Sequence, residues 1–279
     1  MSVTSANMRT GLLLVVLCLS CAGCVHHNTS AQRNASFWPY LDAKVGEENL
    51  WKYLSARSAV LIMAERLDTN SLRTNTFSFR TSSTNHWRGM AVPIDRRGYF
   101  LTAAHCLGKG RFWLVYAQDD KVRVEPARIV WRGSEEEGEL DLAILGVSRS
   151  VSQTFEWAAE FTNGSAVVDL GWNVDSRQLK PQWMAGKVLE VSEAWTKDSL
   201  DYTVVTHNSP LRPGDSGGPL ALSDGRLLGI NVSVDLDFQW SHLSFEKFKH
   251  SVAHRPDLAW MRKVIDADAA LFSGEISPP

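Results

Sequence analysis

Cysteine is scarce in this chain of 279 residues. Of its 4 cysteines, Cys18, Cys21 and Cys24 crowd together near the start, leaving Cys106 alone in the remainder. Internal disulfide staples are therefore excluded, and the folded body must hold together by packing. An excess of one charge is missing too. The formal net charge of −2 gives no footprint for nucleic acid or an anionic membrane surface. The most apolar stretch, Gly11 to Leu19, is too short to cross a bilayer as a helix. Short-period repeats and low-complexity tracts are also absent, which rules out solenoid and fibrous architectures. What remains is ordinary globular material: 44% hydrophobic and 22% charged residues, enough for one large domain or two small ones. The 11 tryptophans, scattered from Trp38 to Trp260, fit the filling of a β-rich core.

The N-terminus has the build of an export signal. Arg9 precedes the apolar run, whose length suits the core of a secretory signal peptide. The run ends in Cys21-Ala22-Gly23-Cys24, and small residues before a cysteine resemble the cleavage box of bacterial lipoproteins. That resemblance implies lipidation of Cys24, anchoring in a membrane facing the periplasm or exterior, and a place in the bacterial cell envelope. Cys21, preceded by Ser20, is a second candidate, and a plain signal peptide cut nearby is the alternative. Residues 1–24 thus read as a lipoprotein-like signal. Residues 25–54 read as a polar tether and N-terminal extension, with a short amphipathic helix over Glu47 to Leu54.

From residue 55 to 272 the texture changes to short apolar runs separated by turn signals, the pattern of an all-β barrel or sandwich. Ala59 to Ala64, Met90 to Ile94, Tyr99 to Thr102, Phe112 to Tyr116 and Leu142 to Val147 are examples, and Leu227 to Val234 closes the series. Turns are expected at Asp95 to Gly98, at Asp119-Asp120 and at Ser223 to Gly225. Pro256 can start a helix in which Leu258, Met261 and Ile265 share a face. The tail, residues 273–279, reads as disordered.

Three segments carry chemistry. Leu101 to Cys106 places His105 just after a strand. Glu139 to Leu145 puts Asp141 flush against an apolar run, where a carboxylate is costly unless hydrogen-bonded. Gly214 to Leu220 sets Ser216 between glycines, which lets the backbone fold tightly and expose the hydroxyl. In such a turn the amides of Gly214 and Ser216 can point into one hollow and hold an oxyanion.

In that order, the strings LTAAHC, DLAIL and GDSGGPL resemble the chymotrypsin/trypsin family of serine proteases. The short intervals between them resemble the compact bacterial members, including the HtrA group. Too few residues follow the predicted helix for the PDZ module of that group, so a single protease domain is expected. The resemblance implies two six-stranded antiparallel Greek-key β-barrels with a C-terminal helix. It also implies a serine endopeptidase in which Ser216 attacks, His105 moves the proton and Asp141 orients the imidazole. The oxyanion hole falls to Gly214 and Ser216, and the partners are protein or peptide substrates. Nothing calls for a cofactor, a metal or nucleic acid. The alternative is a catalytically weak or inactive protease-fold binding protein.

Against the family pattern, the usual cysteine partner of Cys106 is missing, which implies a buried free thiol. No Ile-Val-Gly-Gly-like start follows Arg57, so Asp215 lacks the N-terminal amine that pairs with this acid in zymogen-derived members. No zymogen cleavage is expected. At the specificity positions the chain carries Pro210, Val232, Ser233 and Val234. Val232 stands where a Ser usually supports the triad acid, and Val234 where the pocket usually has Gly. These residues imply a shallow, uncharged pocket for small or medium apolar side chains.

Overall fold

A computed structural model describes residues 47–65, 67, 86–118, 121–175, 178–212, 214–239 and 244–273. Within the body after residue 33, twelve strands form two closed antiparallel barrels. In barrel one the order is β1 (Ala59–Met63), β2 (His86–Asp95), β3 (Tyr99–Thr102), β6 (Ala143–Gly146), β5 (Lys121–Arg132) and β4 (Phe112–Gln118). Barrel two runs β10 (Pro219–Leu222), β11 (Leu227–Gln239), β12 (Ser244–Pro256), β9 (Asp201–His207), β8 (Gln178–Trp195) and β7 (Ala166–Asp175). Closure leaves no open sheet edge to manage, and the interior of each barrel fills with side chains. This is the chymotrypsin-like double barrel that the motifs imply.

The strand signals were legible wherever apolar residues cluster, and missed where they do not. β12 reads Ser-Phe-Glu-Lys-Phe-Lys-His-Ser-Val-Ala-His-Arg-Pro, with no apolar run. It is a strand because β11 and β9 pair with it on both sides, so tertiary pairing overrides local pattern. The expected turn at Asp95 is present: the amide of Gly98 donates to the Asp95 carbonyl at 3.1 Å, and that of Arg97 to Asp95 Oδ1 at 2.8 Å. Gly225 closes the second turn onto Leu222 at 2.9 Å. The turn at Asp119-Asp120 lies outside the described residues, as do residues 274–279 of the tail and Cys24.

Among the described residues two helices flank the barrels. Helix α1 (Glu47–Ala56) buries Leu50 and Leu54 in the main core, and the Ser58 hydroxyl caps it by donating to the Leu54 carbonyl at 2.8 Å. Helix α2 (Leu258–Ser273) buries Met261 and Ile265, as its spacing predicts. Pro256 is not its first residue but the last of β12; Asp257 caps the helix, accepting from the Trp260 amide at 2.6 Å. Barrel one holds α2 by Trp131 edge-on to Trp260, by Arg128 on Asp268, and by the Tyr99 hydroxyl donating to Asp268 at 2.8 Å.

Candidate active site

The pairing of β3 with β6 sets Thr102 opposite Ala143, so whatever follows one strand sits beside whatever precedes the other. Just past β3, a single 3₁₀ turn (Ala104–Cys106) carries His105. Just before β6, a tight turn closed by the Leu142 amide on the Leu140 carbonyl at 2.8 Å projects Asp141. Asp141 Oδ2 lies 2.7 Å from His105 Nδ1, and Oδ1 accepts the His105 amide at 2.9 Å. The cost of placing a carboxylate here is thus met by two donors. With Asp141 ionised, Nδ1 carries the proton, which makes Nε2 the basic nitrogen of the ring. The Asp141 hydrogen bond, helped by the adjacent Cys106 thiol, raises the affinity of this imidazole for a proton above that of an ordinary histidine.

A third residue completes this arrangement, and sequence reasoning missed it. The amide of Asp141 donates to Nδ1 of His254, on β12, at 3.2 Å. His254 reaches the acid because β12 pairs with both β11 and β9. Its ring leans on that of Tyr202, centroids 5.1 Å apart. Burial pushes this imidazole down to about 4, against a smaller upward pull from Asp141, so Nδ1 stays an acceptor. Nothing in the string around His254 signals this, since only the register of an unrecognised strand brings it there.

Ser216 comes from barrel two but is gripped by barrel one. Its carbonyl accepts the Met90 amide of β2 at 2.8 Å and the Cys106 thiol at 3.8 Å. Cys106 is buried and in no disulfide among the described residues, as the missing partner implies. The grip needs Gly217, at φ 82°, where a Cβ would stand 2.1 Å from the Met90 carbonyl oxygen. The amides of Gly214 and Ser216 donate no backbone hydrogen bond among the described residues. The turn that carries an oriented base therefore lies against the backbone of a glycine-flanked serine. That arrangement suits acyl transfer.

A model of the trypsin-like peptidase domain matches residues 89–230, a little over half of the chain. The chain belongs to the trypsin-like peptidase family. Its double barrel is shared with the HtrA-type protease AlgW solved with a decapeptide, at 18% identity and TM-score 0.54, covering 78% of this chain and 67% of that one. The MamO protease domain from Magnetospirillum magneticum gives 16% identity and TM-score 0.52, over 76% and 98%. Rv3671c from M. tuberculosis H37Rv, in the inactive form of a serine-to-alanine mutant, gives 17% and 0.51, over 82% and 95%. No curated protein matches the sequence significantly.

In this peptidase Asp215 does have a partner. Its Oδ2 accepts the Arg212 amide at 2.8 Å, and its carboxylate lies flat on Gly171, where a Cβ would stand 1.9 Å from Oδ1. A second buried acid, Asp169, stands close enough for the two to interact. Burial, then the Asp215 charge, raise Asp169 well above the carboxylate range, so Asp169 is the member that holds a proton. The neighbouring geometry agrees. The Ser209 hydroxyl lies 2.5 Å from Asp169 Oδ2 and 3.0 Å from the Met184 carbonyl, and one hydroxyl proton cannot serve both acceptors. A proton on Asp169 completes the chain from acid to hydroxyl to carbonyl. Of the four specificity positions, Val232 turns into the main core, while Pro210, Ser233 and Val234 are exposed. Among the described residues no cluster of His, Cys, Asp or Glu is arranged to hold a metal ion.

Proposed function

We propose that this peptidase is a serine endopeptidase working through His105, Asp141 and Ser216 and a covalent acyl-enzyme. The observation that carries the reading is the 2.7 Å contact of His105 with Asp141, together with the thiol of the next residue, Cys106, on the Ser216 carbonyl at 3.8 Å. Ser216 Oγ attacks the peptide carbonyl, His105 Nε2 takes the hydroxyl proton, and the Gly214 and Ser216 amides receive the oxyanion. The same imidazolium then protonates the leaving amine, and water repeats the sequence on the ester. Because Asp215 already has the Arg212 amide, the loop needs no freshly cut N-terminus to hold its shape. The signal-like start supports export to a bacterial envelope and tethering through a lipid on Cys24.

A fluorophosphonate probe tests the chemistry. Wild type is expected to be labelled and Ser216→Ala not; a folded wild type that stays unlabelled sinks the proposal and favours a binding protein on a protease fold. Intact mass of the mature N-terminus tests acylation of Cys24.

A further inference from the structure

Barrel two buries a layer of polar side chains, among them Asp169, His207, Ser209, Asn231 and Ser251. Asn231 is the hydrogen-bonding neighbour of His207, so that half of the layer is answered from within. The Asp169 half leads to the nucleophile. β7 pairs with β8 without a bulge, so Asp169 and Gly171 place their Cβ positions on one face of the strand, about 7 Å apart. At Gly171 that position is taken by the Asp215 carboxylate. Two buried acids therefore lie side by side on β7, and the second is the residue before Ser216.

Asp169 also grips the start of the loop that ends in the nucleophile. Its Oδ2 lies 2.5 Å from the Ser209 hydroxyl, which in turn lies 3.0 Å from the Met184 carbonyl. The Ser209 carbonyl accepts the Ser251 hydroxyl at 2.8 Å, and Ser251 Oγ accepts the Leu211 amide at 3.3 Å. One residue on, the Arg212 amide donates to Asp215 Oδ2 at 2.8 Å, and the Asp215 amide returns to the Arg212 carbonyl at 3.0 Å. The loop from Ser209 to Asp215 is thus fastened at both ends to the face of β7 that carries Asp169.

Resting on the protease reading above, we propose that Asp169 is a positioning residue for Ser216: as a neutral acid it donates to Ser209 and lets the Asp215 carboxylate lie beside it, and its ionisation unseats the nucleophile loop. The groups that face it are Asp215, Arg212 and Ser209 on the loop, the Met184 backbone on β8 and the apolar Leu220 on β10. Arg212 is the cation among them, and its pull is smaller than the push of burial and of the Asp215 charge, so the neutral form is the resting one. Once the proton leaves, the Ser209 hydroxyl must turn from the Met184 carbonyl to the new carboxylate, and two like charges share one buried face. Moving Asp215 away relieves that repulsion. Its departure breaks the bond to the Arg212 amide and disturbs the turn that aims the Gly214 and Ser216 amides. Activity is therefore lost on the alkaline side, opposite to the loss that protonation of His105 causes on the acid side.

The test is kcat/KM against pH, up to about pH 10, for wild type, Asp169→Asn and Asp169→Leu, beside fluorophosphonate labelling at neutral pH. Wild type is expected to lose at least about tenfold on the alkaline side, reversibly, while Asp169→Asn, which keeps a donor and cannot ionise, holds its activity there. His105 acts alike in both proteins, so the difference between the two profiles belongs to Asp169. At neutral pH Asp169→Leu should be down about tenfold, as for the loss of one buried hydrogen bond, and Asp169→Asn should recover most of that loss. If the Leu variant does not fold, the Asn profile decides. Labelled wild type whose alkaline side is matched by Asp169→Asn overturns this inference alone, as does a soluble Leu variant as active as the Asn variant. Unlabelled wild type overturns the protease reading, and this inference with it.

Discussion

The backbone amide of Asp141 is held by Nδ1 of His254 across 3.2 Å, so the acid that orients His105 is itself oriented by a histidine from the other barrel. The family's usual device, a serine hydroxyl, is unavailable because its position is Val232. The support here acts on the main chain of the acid instead of its carboxylate. His254→Phe is expected to lower kcat by about 10-fold, the worth of one hydrogen bond near a charge, with KM little changed. His254→Gln, which keeps an acceptor, should recover part of the loss. The acid limb of the kcat/KM profile should move in the Phe variant, because Asp141 sets the proton affinity of His105; a purely structural role for His254 would leave that limb in place.

Asp141→Asn is the sharper probe of the same pair. The amide cannot stabilise the imidazolium and favours the wrong tautomer, so kcat should fall by roughly 10⁴. Far-UV circular dichroism should be unchanged, since both strands flanking the turn stay paired. In wild type the acid limb should lie above pH 6.5, because the carboxylate raises the proton affinity of His105. A limb at or below pH 6.5 would contradict that assignment.

How much of this was legible beforehand depends on what kind of bond carries it. His105, Asp141 and Ser216 stand in local strings whose order and turn chemistry announce them, and the apolar runs announce the barrels. His254 lies in a strand whose side chains alternate lysine, serine and histidine, so its place depends on pairing that no local pattern records. Asp215 looked unpartnered because its partner is the main-chain amide of Arg212, and backbone donors leave no trace in a residue string. The polar layer in barrel two was hidden for a similar reason. Asp169, His207 and Asn231 are far apart in sequence, and Asp169 and Asn231 are each flanked by apolar residues that dominate the reading.

Acid should weaken the fold through its buried histidines. His207 is held neutral in the folded chain, at about 4 against 6.5 for a free histidine. The unfolded chain binds the extra proton in that interval, so this contribution is intact above about pH 6.5 and erodes as pH falls toward 4, by roughly 3 kcal/mol in all. His254 acts in the same direction. His105, raised, has its contribution fully present below pH 6.5 and loses it only as pH rises through its folded value. Asp169, also raised, works against the loss, because the folded chain keeps its proton over a range of pH where the unfolded chain gives it up. Comparing wild type with His207→Phe by urea unfolding at pH 7 and pH 4.5 isolates the histidine. The variant should show the smaller drop, and equal drops would mean that His207 is not held neutral.

The terminal helix should be separable from catalysis. Asp268 accepts from Arg128 and from the Tyr99 hydroxyl, and burial, helped by this pairing, pushes that phenol up to about 12. The group is partly buried and gathers at the start of β3, whereas the 3₁₀ turn of His105 follows the strand's other end. Asp268→Ala should therefore cost about 1–2 kcal/mol of unfolding free energy, while kcat/KM at 25 °C stays within about twofold. A large loss of activity without loss of stability would assign the helix a role in the cleft.

Gly171 offers the most direct test of what holds the nucleophile loop. The Asp215 carboxylate occupies the space where any side chain at 171 would begin, 1.9 Å from the ideal Cβ position. Gly171→Ala must displace that carboxylate, break its bond to the Arg212 amide and unseat the residue next to Ser216. Since the Gly214 and Ser216 amides depend on that turn, the variant should lose about 10²–10³ in kcat, as when an oxyanion donor is removed. Ester substrates with good leaving groups should show the same defect, because the oxyanion forms in every acyl transfer. If Gly171→Ala instead raised KM with kcat intact, Asp215 would belong to substrate binding and the loop would be held by other contacts.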